Sequence, residues 1–448
     1  MSLTDKGVAL LEQLRRQIES KDAIVGVIGL GYVGLPVAAT FAGAGFSVIG
    51  VDIKPERVRQ INKGQNPIGG QEPGLAELLA TAVSSGRLRA TDDYRELSAA
   101  DVVLIDVETP VDESHRPRYL ALRSACEALA GVMKKGALVV VESTVAPGTI
   151  DRVVRPLLEK YSGRKSADEF FVGACPERVM PGKLLRNLRT MSRVCGGETP
   201  EVAQLMVTFY RHIVEAELDS ADPVTAEVVK TTENAYRDVQ IAFANEVALI
   251  CEAVGADIWQ VRDLVNKVPY RHMHLPGAGV GGHCIPKDPW LLASAAGEAM
   301  PARLIPEARA VNDGMPHHVA QLTLEALRAR GLGATEARVA VLGYAYLENS
   351  DDDRNSPSQS LVRRLKEEGL SVAIHDPWIE AYQGDLQDII AGRDGVVIMV
   401  AHKEYLNLDL QELGRAFRTP LVVDGRHVLD KEQVEAAGLA YRGIGIGQ

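Results

Sequence analysis

Cysteine is sparse in this chain. Its five residues, Cys126, Cys175, Cys195, Cys251 and Cys284, are odd in number and scattered, with no Cys-x-x-Cys pair. That pattern argues against a disulfide framework and against thiolate metal sites, and reads as reduced thiols, most of them packed in the interior. No stretch approaches the roughly 18 consecutive apolar residues of a membrane span. The opening MSLTDKGVALLEQLRRQIESKD lacks the basic, apolar and small-residue regions of a secretory signal, so a soluble, cytoplasmic protein is expected. Positive charge is also in deficit: the net charge is −11, and no basic stripe runs along any segment. Nucleic acid and membrane are therefore not expected partners. Low-complexity tracts are missing as well.

What is present is ordinary globular material, 448 residues with 46% apolar and 24% charged, enough for two or three domains at about 150 residues each. Val8, Leu11, Leu14 and Ile18 space as a short amphipathic helix within 1–22. From Ala23 the runs AIVGVIG, SVIGVD, DVVLIDV and ALVVVEST alternate with helical stretches, the pattern of a parallel sheet covered on both faces. This first α/β part is taken as 23–195. A helical part, 196–315, contains a long segment from Ala221 to Val254 interrupted only by Pro223 near its start, where a helix tolerates it. RVAVLGYAY, SVAIHDP, GVVIMVA and PLVVDGR then give a second α/β part, 316–448. The predicted fold is α/β, with two Rossmann-like, doubly wound parallel-sheet domains joined by a helical middle. The second part has a lone Gly343 after its first strand, so it is not expected to hold a pyrophosphate in the manner of the first.

GLGYVG places Gly29, Gly31 and Gly34 between an apolar strand and an Ala-rich helix. The first glycine permits the turn, the second lets backbone approach a pyrophosphate, and the third lets helix and strand pack closely. A second strand ends in Asp52, at the spacing of the acid that binds the adenosine ribose. Asp52 favours NAD over NADP, whereas Lys54 and Arg57 sit close enough to pair with a 2′-phosphate.

GVGGHCIPKDP surrounds Cys284 with Gly279, Gly281 and Gly282, followed by Lys287 and Asp288. A lone cysteine fits a packed core as readily as a nucleophile. This setting favours the nucleophile, because the glycines let backbone crowd a ligand, His283 and Lys287 can lower the thiol pKa, and Asp288 is within reach as a base or water-orienting group. Lys230 and Asn234, four apart, share one helical face, either as a solvated edge or as donors to a developing alkoxide. Glu177 in ACPERVMPG and Ser143 and Thr144 in VESTVAPGT follow strands, where a parallel sheet opens its ligand crevice; turn or cap roles fit each of them equally. His283 has no partner at ligand spacing, and no metal is expected.

In order and over nearly the whole chain, GLGYVGLP, VESTVAPGT, CPERVMPG, KTTENAYRDVQIAFANE, PGAGVGGHCIPKDPW and DDDRNSP resemble the motifs of the UDP-glucose/GDP-mannose dehydrogenase family. Within it, CPERVMPG, LVNKVPYRHMHLPGAGVGGHC and ARLIPEARAVND are most similar to members that oxidise UDP-N-acetylmannosamine, with those acting on UDP-N-acetylglucosamine next. The resemblance implies an NAD-dependent, four-electron oxidation of the sugar C6 alcohol to a uronate with Cys284 as nucleophile. It implies that Lys230 and Asn234 steady the oxyanion, that Asp288 assists the thiol and the hydrolytic water, and that Glu177 and Thr144 hold water near C6. NAD would meet Gly29, Gly31, Tyr32, Val33, Gly34, Asp52, Arg57, Thr109, Thr144, Lys287 and Arg354. The UDP-sugar would meet Glu177, Arg178, Val179, Lys230, Asn234 and Gly281, with Arg271 entering from a neighbouring subunit of a homodimer built on the long central helix. By the same likeness, 23–195 binds NAD, 196–315 dimerises and carries the cysteine loop, and 316–448 binds the UDP-sugar. Two positions depart from the family's pattern: Glu108 stands where its Val-Pro-Thr-Pro stretch has the first proline, and Leu347 followed by Glu348 stands where it carries a lysine. Two further readings stay open, a two-electron dehydrogenase with a structural Cys284 and a nucleotide-sugar-binding protein without turnover.

Overall fold

In the computed structural model, which describes residues 2–70, 72–297 and 300–447, the β-branched runs form two separate sheets. The chain divides into two compact units, Met1–Glu233 with Trp290–Met300 and Asn234–Pro289 with Pro301–Gln448. Among the described residues no helix is long and apolar enough to cross a membrane.

The first unit opens with the helix Asp5–Glu19, capped by the Thr4 hydroxyl, which accepts from Gly7 N at 3.0 Å. Leu11, Leu14 and Ile18 bury as their spacing predicts, whereas Val8 faces solvent, one position off the stripe. Eight strands follow: β1 (Ile24–Ile28), β2 (Ser47–Val51), β3 (Leu88–Thr91), β4 (Val102–Ile105), β5 (Leu138–Val141), β6 (Phe171–Ala174), β7 (Arg193–Gly197) and β8 (Leu218–Ala221). They lie in the order β3-β2-β1-β4-β5-β6-β7-β8. Every pairing is parallel except β6 with β7. Helices cover the sheet, so β4, β5 and β6 are buried throughout and read in sequence as unbroken apolar runs. Phe41 on one covering helix stacks on Phe209 of another at 4.3 Å between ring centres. Strand order reverses beside β1, which opens a crevice at the carboxyl ends of β1 and β4. The boundary expected after Cys195 falls inside β7. RVCGG and LDSA, the last two strands, are short and glycine-rich or polar, without the β-branched run that marks the others.

The helix Pro223–Val254 is a single element of 32 residues, about 48 Å long at 1.5 Å per residue. The second unit holds β9 (Arg338–Leu342), β10 (Ser371–His375), β11 (Gly395–Ile398), β12 (Leu421–Asp424) and β13 (Ala440–Gly443), in the order β10-β9-β11-β12-β13. All four pairings are parallel. The expected boundary at 315/316 lies within the helix Leu304–Ala329, which carries Pro316 inside it.

Candidate active site

The first unit builds a dinucleotide turn. Gly29, at φ 92°, leaves β1 and donates its N–H to Val51 O at 2.8 Å. A Cβ at Gly34 would collide with Gly29 O, so the third glycine lets the helix Gly34–Gly43 start directly against the strand. A Cβ at Gly31 would meet nothing within 4 Å, which leaves open space where a phosphate must approach. Val33 at the N-cap supplies no side-chain cap and Leu35 N donates to Gly31 O at 3.2 Å, so the positive end of the helix, flanked by Tyr32, faces the turn. Asp52 is buried at the end of β2, where Oδ2 accepts from Leu30 N at 2.9 Å and Oδ1 from Lys54 N at 2.9 Å. Arg57 Nη1 donates to Asp52 Oδ2 at 2.8 Å, so the cation next to the ribose position is held by the acid that repels a 2′-phosphate. These residues fit an adenine dinucleotide without a 2′-phosphate, whose nicotinamide supplies two-electron oxidation when bound.

Next to this turn, Thr109 Oγ1 donates to Thr144 O at 2.6 Å, joining the segment after β4 to the one after β5. Ser143 Oγ donates to Val107 O at 2.7 Å across the same gap, while Glu108 is exposed. Glu177, buried after β6, accepts from Arg178 N at 2.7 Å. Its Oε2 lies 2.7 Å from Arg193 Nη2 on β7. Arg178 Nε donates to Glu233 on the long helix at 3.1 Å, and its Nη1 reaches Ser192. Val179, beside it, is half-buried. Lys230 is half-buried on the long helix.

The second unit holds the thiol. Cys284 is exposed, and the other four cysteines are buried. Its carbonyl accepts from Lys287 N at 3.1 Å and Asp288 N at 2.8 Å, a turn that leads into the helix Asp288–Ala295. Asp288 is fully buried; its Oδ2 accepts from Asn234 Nδ2 at 2.6 Å and its Oδ1 lies 3.2 Å from Lys287 Nζ. Gly281 and Gly282 pack so tightly on Tyr346 that added Cβ atoms would come within 2.5 and 2.8 Å of it. Gly282 N donates to Arg354 O at 2.9 Å, and the Arg354 Nε donates to Asp352 at 2.8 Å. The cysteine turn is thus backed by the segment that follows β9. Arg271, next to the exposed Tyr270, projects into solvent.

The predicted residues therefore assemble in two sets. Gly29, Gly31, Gly34, Asp52, Thr109, Thr144 and Glu177 surround the carboxyl ends of β1, β2, β4, β5 and β6; Asn234, Gly281, Cys284, Lys287, Asp288 and Arg354 surround the cysteine turn. Sequence reasoning missed Asp106, Glu142 and Arg193. The first two had a legible signal, since β4 and β5 each run straight into an acid, as β6 nearly does with Glu177.

Comparison with known proteins gives the family. The UDP-glucose/GDP-mannose dehydrogenase family matches in three parts: its NAD binding domain over 23–214, its central domain over 224–314 and its UDP binding domain over 340–431. UDP-N-acetyl-D-mannosamine dehydrogenase of Pyrococcus horikoshii is 38% identical over 423 residues, 94% of this chain and 99% of that protein. A solved structure of UDP-D-ManNAc dehydrogenase from Pyrococcus horikoshii superposes with a TM-score of 0.89 at 38% identity over 94% of this chain and 99% of that one. The NDP-N-acetyl-D-galactosaminuronic acid dehydrogenase of Methanosarcina mazei gives a TM-score of 0.86 at 33% identity over 99% of this chain and 98% of the other. The chain belongs to the UDP-glucose/GDP-mannose dehydrogenase family and carries that family's NAD-binding domain.

Proposed function

We propose that the protein oxidises the C6 alcohol of a UDP-N-acetylhexosamine, UDP-N-acetyl-D-mannosamine first among them, to the uronate with two equivalents of NAD. The observation that carries this reading is the exposure of Cys284 alone among five cysteines, in a glycine turn backed by buried Asp288. The names of the similar proteins point to the same substrate class.

The first oxidation removes a hydride from C6 and the proton from its hydroxyl, leaving an aldehyde. Cys284 sulfur bonds to its carbon, and the thiol proton passes to the new hydroxyl. A second two-electron oxidation turns this thiohemiacetal into a thioester. Water then adds, the C–S bond breaks, and the carboxylate leaves as the thiol is restored. Lys230 and Asn234, one turn apart on a single helix, face the oxygen that bears negative charge. Asp288, fixed by Asn234 and Lys287, orients the hydrolytic water. Glu177 and Thr144 hold water near C6.

Assembly belongs to the same proposal. On the long helix Tyr236, Phe243, Ile250 and Val254 are 63%, 59%, 54% and 71% exposed, a stripe at spacings of seven, seven and four. Such a stripe is the mark of a helix-to-helix interface. The proposed partner is a second copy of the chain, whose Arg271 would reach the sugar site.

A panel of UDP-N-acetylmannosamine, UDP-N-acetylglucosamine, UDP-N-acetylgalactosamine and UDP-glucose, with NADH counted per sugar consumed, tests the reading. A value near two with the manno sugar is expected. A value near one leaves Cys284 structural, and none with any sugar leaves a binding protein.

A further inference from the structure

Behind Glu177, inside the first unit, lies a group of charged side chains to which the proposed chemistry gives no part. Asp106 follows β4, Glu142 follows β5, and Arg193 begins β7. Arg193 is 1% exposed. Its Nη1 donates to Glu142 Oε1 at 3.2 Å, and its Nη2 lies 2.7 Å from Glu177 Oε2, an ion pair whose N–H is not aimed along the contact. Tyr210 closes the back: its hydroxyl donates to Glu142 Oε1 at 2.7 Å and its ring lies 5.1 Å from the Arg193 guanidinium. Cys175 and Cys195, both buried, complete the wall.

Three carboxyl groups share one cation here, with Glu142 and Glu177 buried and Asp106 half-buried. Ionised together they would carry a net charge of −2 in a low-dielectric interior, which is strongly disfavoured. The hydrogen-bond pattern shows where the excess is relieved. Asp106 Oδ2 and Glu142 Oε2 are both out of solvent and both without a donor, although the two carboxyls are within hydrogen-bonding reach of each other. Asp106 as a whole retains some solvent contact, but that oxygen does not. One proton between them satisfies both orphaned acceptors at once.

We propose that Asp106 and Glu142 share one proton, which leaves Arg193 free to hold Glu177 as a carboxylate, so that Arg193 is the positioning residue for Glu177. Burial first, and then the neighbouring Glu142, push the Asp106 carboxyl well above the ordinary carboxylate range, in keeping with its being the protonated member. The inference rests on the reading that Glu177 holds water near C6. It adds what holds that carboxylate in place.

Two arms test it. In the infrared, the wild-type protein in heavy water at pH 8 should show the carbonyl stretch of a protonated carboxyl, and Asp106→Asn, checked for folding by circular dichroism, should lose it. In kinetics, Arg193→Lys should move the acid limb of the kcat profile upward by about one pH unit, because the guanidinium charge 2.7 Å from Glu177 Oε2 is withdrawn. Asp106→Asn should leave that limb in place, because its amide donates to Glu142 as the carboxyl hydroxyl would. A wild-type spectrum without the band, or an acid limb that falls in Asp106→Asn, overturns the shared proton. The infrared arm needs no turnover. If the band is present and Glu177→Gln leaves kcat and its profile unchanged, the role given to Glu177, and with it that of Arg193, is what fails.

Discussion

The two sheets begin alike and end differently. Gly29 after β1 and Gly343 after β9 have φ of 92° and 91°. Each donates its N–H at 2.8 Å to the last carbonyl of the next strand, Val51 O or His375 O. Each of those strands is followed by a buried aspartate, Asp52 or Asp376, that accepts from the backbone of its glycine turn. Beyond that point they part. In the first sheet a helix starts at Gly34, and its uncapped end faces open space at Gly31. In the second the chain continues to Ser356 before the helix Pro357–Glu367 begins. Asp376 there is closed off: Oδ1 accepts from Trp378 N at 2.8 Å, and Oδ2 lies 3.2 Å from Nε2 of the buried His402. The same strand-turn-acid device makes a nucleotide cradle only where a helix N-terminus follows at once. Without one, it serves as an internal brace, and the long connection is free to back the cysteine turn.

That contrast can be broken by substitution. The largest effect is expected from Gly34→Ala, whose methyl would drive into Gly29 O. NAD affinity should fall by on the order of a hundredfold with some loss of stability, the scale of overpacking at a tight contact; Gly343→Ala, which meets Val400, should destabilise the protein and leave NAD titrations unchanged. Asp376→Ala should be a stability variant only. Although burial opposes it, hydrogen bonding from His402 and from the Ala345 and Tyr344 N–H groups holds the Asp376 carboxyl down at about 2, below its ordinary 3.8. A depressed carboxylate stabilises the fold above the unfolded-state value and loses that contribution as pH falls. About 2 kcal/mol should therefore disappear between roughly pH 4 and pH 2. Denaturant melts should show this loss in the wild type and its absence in Asp376→Ala. Asp52→Ala should weaken NAD about tenfold, the worth of one charged hydrogen bond, and narrow the preference over NADP, beyond any loss of stability from the Leu30 N–H it leaves without an acceptor. If the two aspartates exchanged these outcomes, the division between cradle and brace would be wrong.

Local signals carried much of this into the sequence. The strand runs, the glycine triplet, Asp52 and the cysteine turn each lie within a few residues, and each could be read in place. What could not be read depends on side chains brought together across the chain. Asn234 and Asp288 are 54 residues apart, and Glu142 and Arg193 are 51 apart. Arg193 in TMSRVCGG looks like an ordinary surface cation until the antiparallel pairing of β7 with β6 puts it behind Glu177. Arg57 was legible as a basic neighbour of Asp52, but not as its partner, because pairing depends on the turn between strand and helix.

The measurement closest to the central claim is a single turnover with UDP-N-acetylmannosamine and NAD, stopped in acid, followed by mass analysis of the peptide that contains Gly279–Pro289. The account predicts a fraction of that peptide bearing the sugar nucleotide through Cys284 sulfur. Two NADH formed per sugar, with that thiol bare at every quench time, would contradict it.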